Sequence, residues 1–158
     1  MAAMSPSELD FHLETAKRCF NRTWEYLDRK NRTTDDDEMM LHLAHAARYH
    51  WGFVGTAENF AVGDWQVSRV YAELKQPQLA LHFAKSALKI MQDNNLVGIL
   101  HTGYEGMARA YAIAKDNQSA RDYVSKARVQ LNKTTGLDAE DKKIYSGQIR
   151  ETEELMGK

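Results

Sequence analysis

Leu79-Ala80-Leu81-His82-Phe83-Ala84-Lys85-Ser86-Ala87 is answered forty residues later by Ser119-Ala120-Arg121-Asp122-Tyr123-Val124-Ser125-Lys126-Ala127. Val70-Tyr71-Ala72 stands to Ala110-Tyr111-Ala112 at the same offset, with no gap between the blocks. A fixed period in this range marks a stacked helical repeat. Side-chain size supplies the reason. Tyr71 and Tyr111 fill space between helices, while Ala80, Ala87, Ala120 and Ala127 let the two helices of one hairpin approach closely. A single hairpin of this kind cannot bury its apolar face alone, so hairpins stack.

Composition points the same way. Alanine occurs 19 times against 12 for valine plus isoleucine, and the 158 residues include 2 prolines; both favour helix over strand. Hydrophobic residues make up 43% and charged residues 27%, with a net charge of -1. That balance suits a globular core and lacks the basic excess of a general nucleic-acid binder. One cysteine excludes an intrachain disulfide and fits a reducing compartment. The segment from Met1 to Leu9 has no basic and then apolar pattern of a signal peptide, and no stretch is apolar enough to span a membrane. A cytoplasmic protein without a membrane partner is the expectation.

Seven helices are predicted. Ser5-Pro6-Ser7-Glu8 opens the first, which runs from about Ser7 to Arg29. Asp35-Asp36-Asp37-Glu38 opens the second, to about Trp51, where carboxylates favour the positive end of the helix dipole. The others cover about Thr56–Leu74 with a bend at Gly63, Pro77–Asp93, Val97–Ala114, Gln118–Leu131 and Asp138–Leu155. The short connections imply antiparallel neighbours. The expected fold is therefore all-α, with antiparallel helical hairpins stacked as a short α-solenoid. It forms one domain over 1–158: N-terminal helices in 1–62 as a further degenerate hairpin, two repeats in 63–131, and a capping helix in 137–156.

Tyr71, Ala80, Phe83 and Ala87 keep the spacing of a late first-helix tyrosine, a small residue, an aromatic and a second small residue. Tyr111, Ala120, Tyr123 and Ala127 keep it again, and Ser68 and Ala108 supply a small residue in each first helix. In these positions the chain resembles the tetratricopeptide repeat family. The offset is longer than that family's period of about 34 residues. Lys75 and Lys115 stand at its turn glycine, Trp65 lies one position from its tryptophan, and no proline closes either block.

The resemblance implies a non-enzymatic scaffold that binds a peptide or partner helix in a concave groove lined by the first helix of each hairpin. Trp65, Arg69, Thr102, Glu105 and Arg109 are the positions it would place there. Arg69 and Arg109 are equivalent in the two blocks, and paired guanidinium groups suit carboxylates, hence an acidic partner. The alternative for each arginine is an internal salt bridge, to Glu73 or Glu105. The family's chaperone-tail binders use asparagine where Arg69 and Arg109 stand, so chaperone-tail binding is not expected. A homodimer through exposed apolar residues at an end of the stack is a further possibility.

A different class of function is suggested by His42-Leu43-Ala44-His45-Ala46-Ala47-Arg48-Tyr49-His50. On a helix Glu38, His42, His45 and Tyr49 share one face. Imidazole and carboxylate are ligands for zinc or iron, so a small helical metal-binding protein or metal-dependent hydrolase using Glu38, His42 and His45 is the second reading. A fourth ligand would come from His12, His82 or His101. The metalloprotease spacing is absent, because Leu43 occupies the place of its glutamate. Histidines paired to carboxylates at a hairpin interface are the plainer account. Gly103-Tyr104-Glu105-Gly106 has the spacing of a nucleic-acid loop, but it sits inside a predicted helix, where packing glycines explain it.

Overall fold

The computed structural model describes residues 3–157. The first two residues, where the reading for a targeting signal begins, lie outside the described residues, as does the last. Seven helices are present among the described residues: α1 (Pro6–Leu27), α2 (Thr34–Val54), α3 (Ala57–Glu73), α4 (Pro77–Asp93), α5 (Leu100–Ile113), α6 (Asn117–Lys133) and α7 (Ala139–Met156). None of them is long and apolar enough to cross a membrane.

Local chemistry sets the starts. Ser5 with Glu8, Thr33 with Asp36 and Thr56 with Asn59 each form a capping box. Asp116 and Asp138 accept from the backbone of Ser119 and Asp141. Each such cap contributes about 1 kcal/mol. The α1–α2 connection is held by Arg32, which donates to Asp37 at 2.7 Å and to Glu73 of α3 at 3.1 Å.

α1 packs on α2, α3 on α4 and α5 on α6 as antiparallel hairpins. The odd helices also adjoin one another in order, α1 to α3, α3 to α5 and α5 to α7, whereas each even helix touches only odd ones. The result is an all-α, helical-repeat-like stack, closed at its C-terminal end by α7 lying on α5 and α6.

The forty-residue offset reappears in detail. Tyr71 stacks on Phe83 with ring centroids 5.7 Å apart and planes at 15°. Tyr111 stacks on Tyr123 at 5.7 Å and 16°. Lys75 and Lys115 both take left-handed backbone, with φ of 58° and 66°. The turns around them share one bonding pattern: Gln76 N–H to the Tyr71 carbonyl at 2.9 Å, and Asp116 N–H to the Tyr111 carbonyl at 3.0 Å. This is the helix-ending motif in which a left-handed residue normally is glycine. Ala80, Ala87, Ala120 and Ala127 are fully buried.

Three details differ from the sequence reading. α3 runs unbroken through Gly63, where the Arg48 and Trp51 side chains of α2 leave no room for a Cβ. α2 continues past Trp51 through Gly52 to Val54. α5 starts at Leu100 rather than Val97, because left-handed Asn95 and the turn closed by Ile99 N–H on the Leu96 carbonyl intervene. The Gly103 and Gly106 pair is a packing device, as expected. A Cβ at Gly103 would stand 2.6 Å from the Met91 sulfur, and one at Gly106 would stand 2.8 Å from Cδ1 of Trp65.

Candidate functional site

Equivalent positions of stacked repeats become neighbours, and this assembles the polar centre of the molecule. Trp65 of α3 donates from Nε1 to Glu105 Oε2 of α5 at 3.0 Å. Arg109, one turn on, donates from Nε to Glu105 Oε1 at 2.8 Å, and the Thr152 hydroxyl of α7 donates to the same oxygen at 2.9 Å. Trp65, Thr102, Glu105 and Arg109 are all buried. Burial opposes the charge on Glu105, but Arg109, Arg69 and the hydrogen bonds from Trp65 and Arg109 outweigh it and hold the carboxyl below the ordinary range. Burial likewise opposes the charge on Arg109, and Glu105 outweighs it.

Arg69 differs from Arg109. Its side chain is 10% exposed, and its Nη2 donates to Glu151 of α7 at 3.0 Å. Its Nε and Nη1 are buried without a hydrogen-bond partner. The guanidinium carbon lies 5.1 Å from the centroid of the Trp24 ring of α1. Burial first, and then the charge of Arg109, push Arg69 below the usual arginine range. Arg109 thus forms the internal salt bridge to Glu105 and a second to Glu151, whereas Arg69 pairs with Glu151 of α7 rather than with Glu73 or Glu105; Glu73 pairs with Arg32 instead.

Arg69 lines a cleft of about 520 Å³. One wall is the C-terminal end of α1, with Trp24 and Asp28, and the other is α7, with Lys143, Ile144, Gly147 and Glu151. The backbones of α1 and α7 make no contact across it. Of the five residues expected in the groove, Arg69 alone is in this lining. Trp65, Glu105 and Arg109 form the buried polar centre, joined to the cleft through Glu151, and Thr102 is buried outside the cleft lining, with its hydroxyl against His101. Sequence reasoning missed the α1 and α7 walls, since no repeat match reaches either helix. The Trp65–Glu105 bond was legible in principle, because the two residues stand forty apart, the repeat offset itself.

The histidine-rich face of α2 is put to structural use. His45 Nε2 hydrogen-bonds the Tyr71 hydroxyl at 2.9 Å and its ring packs edge-on against Phe83. Glu38 and His42 are exposed on the outside of the stack. Among the described residues, no three His, Cys, Asp or Glu side chains are grouped to hold a metal ion, Glu38, His42 and His45 included. His50 turns to α1 instead, where its Nδ1 lies 2.7 Å from Nδ1 of His12. Phe11, Tyr49 and Phe53 surround this pair and are exposed. Partial burial of Cys19 raises its thiol above the usual value.

Comparison of the chain with known protein families, curated proteins and solved structures returns no match.

Proposed function

We propose that this chain is a tetratricopeptide-like interaction scaffold that receives a segment of another protein in the cleft between α1, α3 and α7. The observation that carries the reading is Arg69. It is a mostly buried arginine with two buried nitrogens unpartnered, lining an open cleft. Unpaired buried donors are uncommon in folded proteins, because each forfeits its hydration without replacement. An acidic partner group supplies the missing acceptor. Ile144, half exposed in the α7 wall, and Trp24 in the opposite wall supply apolar contact on either side. The spacing of Tyr71, Ala80, Phe83 and Ala87, kept again from Tyr111 to Ala127, supports the family likeness, as does the shared turn geometry at Lys75 and Lys115.

The test is affinity capture from native lysate with wild type, Arg69→Gln, Ile144→Arg and a control at an exposed α6 position outside the cleft lining, Val129→Glu. A protein held by wild type and the control but released by both cleft variants is the expected result. Equal retention by all four proteins would remove the cleft from consideration.

A further inference from the structure

Charge is unevenly distributed around the cleft. Two guanidinium groups, the buried Arg109 and the mostly buried Arg69, stand near one buried carboxylate, Glu105. The second negative charge comes from Glu151, whose side chain is 55% exposed. Glu151 uses one oxygen for both arginines, accepting from Arg69 at 3.0 Å and from Arg109 at 3.3 Å. Arg109 does not depend on it, since Glu105 and the Gln148 carbonyl also accept from that guanidinium. Arg69 has Glu151 alone. A guanidinium offers five N–H donors in a planar fork that matches a carboxylate edge to edge. One oxygen on one nitrogen leaves most of that fork unused.

We propose that Glu151 is the resting occupant of a carboxylate-acceptor site on Arg69, and that a carboxylate of the partner segment replaces it there. This rests on the scaffold reading and adds its regulation: the free cleft holds its own glutamate in the place of the partner's. The exchange is inexpensive on both sides. Glu151 is already half in water, so its release into full solvent strands no buried charge. Arg69 Nε and Nη1 are closed to solvent with Glu151 in place, so the incoming carboxylate reaches a second nitrogen only as Glu151 swings out, and it then gains a paired hydrogen bond where Glu151 gives Arg69 a single one. The ionic groups lining the cleft are balanced, with Asp28, Glu140 and Glu151 against Arg69, Lys143 and Arg150. A run of acidic residues would meet as much repulsion as attraction. The site therefore selects a single carboxylate on an otherwise uncharged segment laid between Trp24 and Ile144.

Chemical rescue tests this directly. Glu151→Ala vacates the acceptor, and propionate supplies the lost methylene and carboxylate with one further carbon. Thermal midpoints are measured for wild type, Glu151→Ala and the Glu151→Ala, Arg69→Gln double variant, in propionate, in neutral propionamide and in sodium chloride. The expected result is a saturable rise of about 3–6 °C in Glu151→Ala at roughly tenfold excess over the dissociation constant, with propionate alone and not in the double variant. A response no larger than that to propionamide, or one that survives loss of Arg69, overturns the proposal. Glu151→Gln keeps the side chain's length and serves if the alanine variant does not fold. In it the Arg69 Nε–H resonance must move with propionate, and a stationary resonance is equally fatal. The two proposals fail separately. Capture of a partner without rescue leaves the scaffold and removes the acceptor; rescue without a captured partner leaves the acceptor and removes the scaffold.

Discussion

Single residues show where the repeat departs from its ideal. Lys75 and Lys115 carry left-handed backbone at a turn that glycine fills without strain. The penalty for an L-residue there is about 1–2 kcal/mol, so Lys75→Gly and Lys115→Gly should each raise the urea midpoint by an amount of about 1 kcal/mol in stability. A lower midpoint would show that the lysine side chains make contacts that outweigh the strain. Gly106 behaves in the opposite way. With a Cβ directed at 2.8 Å onto the indole of Trp65, Gly106→Ala should cost about 1–3 kcal/mol and disturb the Trp65–Glu105 hydrogen bond. An unchanged midpoint in that variant would mean that the indole moves aside freely. These positions were legible in the sequence only as oddities: the lysines as replacements for a turn glycine, and Gly106 as a packing residue with no known neighbour.

At the scale of the helices, burial governs the histidines. His45 on α2 is lowered from the usual 6.5 by burial, and its hydrogen bond with Tyr71 ties α2 to α3. His50 is lowered by burial and by the nearby His12 of α1. His101 on α5 is lowered by burial. For each of them the folded chain binds a proton less readily than the unfolded chain does. Their contribution is complete above the unfolded value of about 6.5 and is lost as pH falls below it towards the folded values. Glu105 follows at lower pH. Its folded value is depressed, so its share is present above the unfolded value of 4.5 and disappears as pH falls through the folded one. Chemical denaturation at about pH 7.5 and about pH 5.5 should give the lower midpoint at the acid end; a flat profile would contradict the lowered proton affinity of His45, His50 and His101 in the folded chain. Helix positions were readable from periodicity and capping residues, and the ends differ by a turn or less. The histidine face was misleading for a physical reason. A helical wheel aligns Glu38, His42 and His45, but it does not reveal that Tyr71 of α3 already engages His45.

For the whole molecule, the alternation of odd and even helices matters most. It brings Trp65 to Glu105 across one repeat, Thr152 to Glu105 across the next, and Arg69 to Glu151 across two. The all-α hairpin architecture was legible because small and aromatic residues recurring forty apart are what stacked hairpins need in order to pack. The cleft was not, because its walls belong to α1 and α7, which carry no recognisable copy of the repeat. α7 is a structural member of the stack: Ile149 and Thr152 are buried, and the Thr152 hydroxyl completes the shell of a buried carboxylate. Thr152→Val removes a hydrogen bond to a charged group and should cost about 1.5–3 kcal/mol in thermal or urea unfolding, with the whole chain melting in one transition. Independent melting of α7 would instead make it an appendage. Glu105→Ala is the more severe change, at about 3–5 kcal/mol, because it leaves Arg109 buried without its principal partner.

Whether the partner sits in the cleft between α1, α3 and α7 is decided by site-specific photo-crosslinking in cells. A benzophenone amino acid is placed at Ile144 in the α7 wall or at Val129 on α6, two positions of similar exposure. A discrete heavier adduct should form from position 144, weaken with Arg69→Gln, and be absent from position 129. Adducts from 129 alone, or from both positions regardless of Arg69, would put the partner on another surface and refute the cleft.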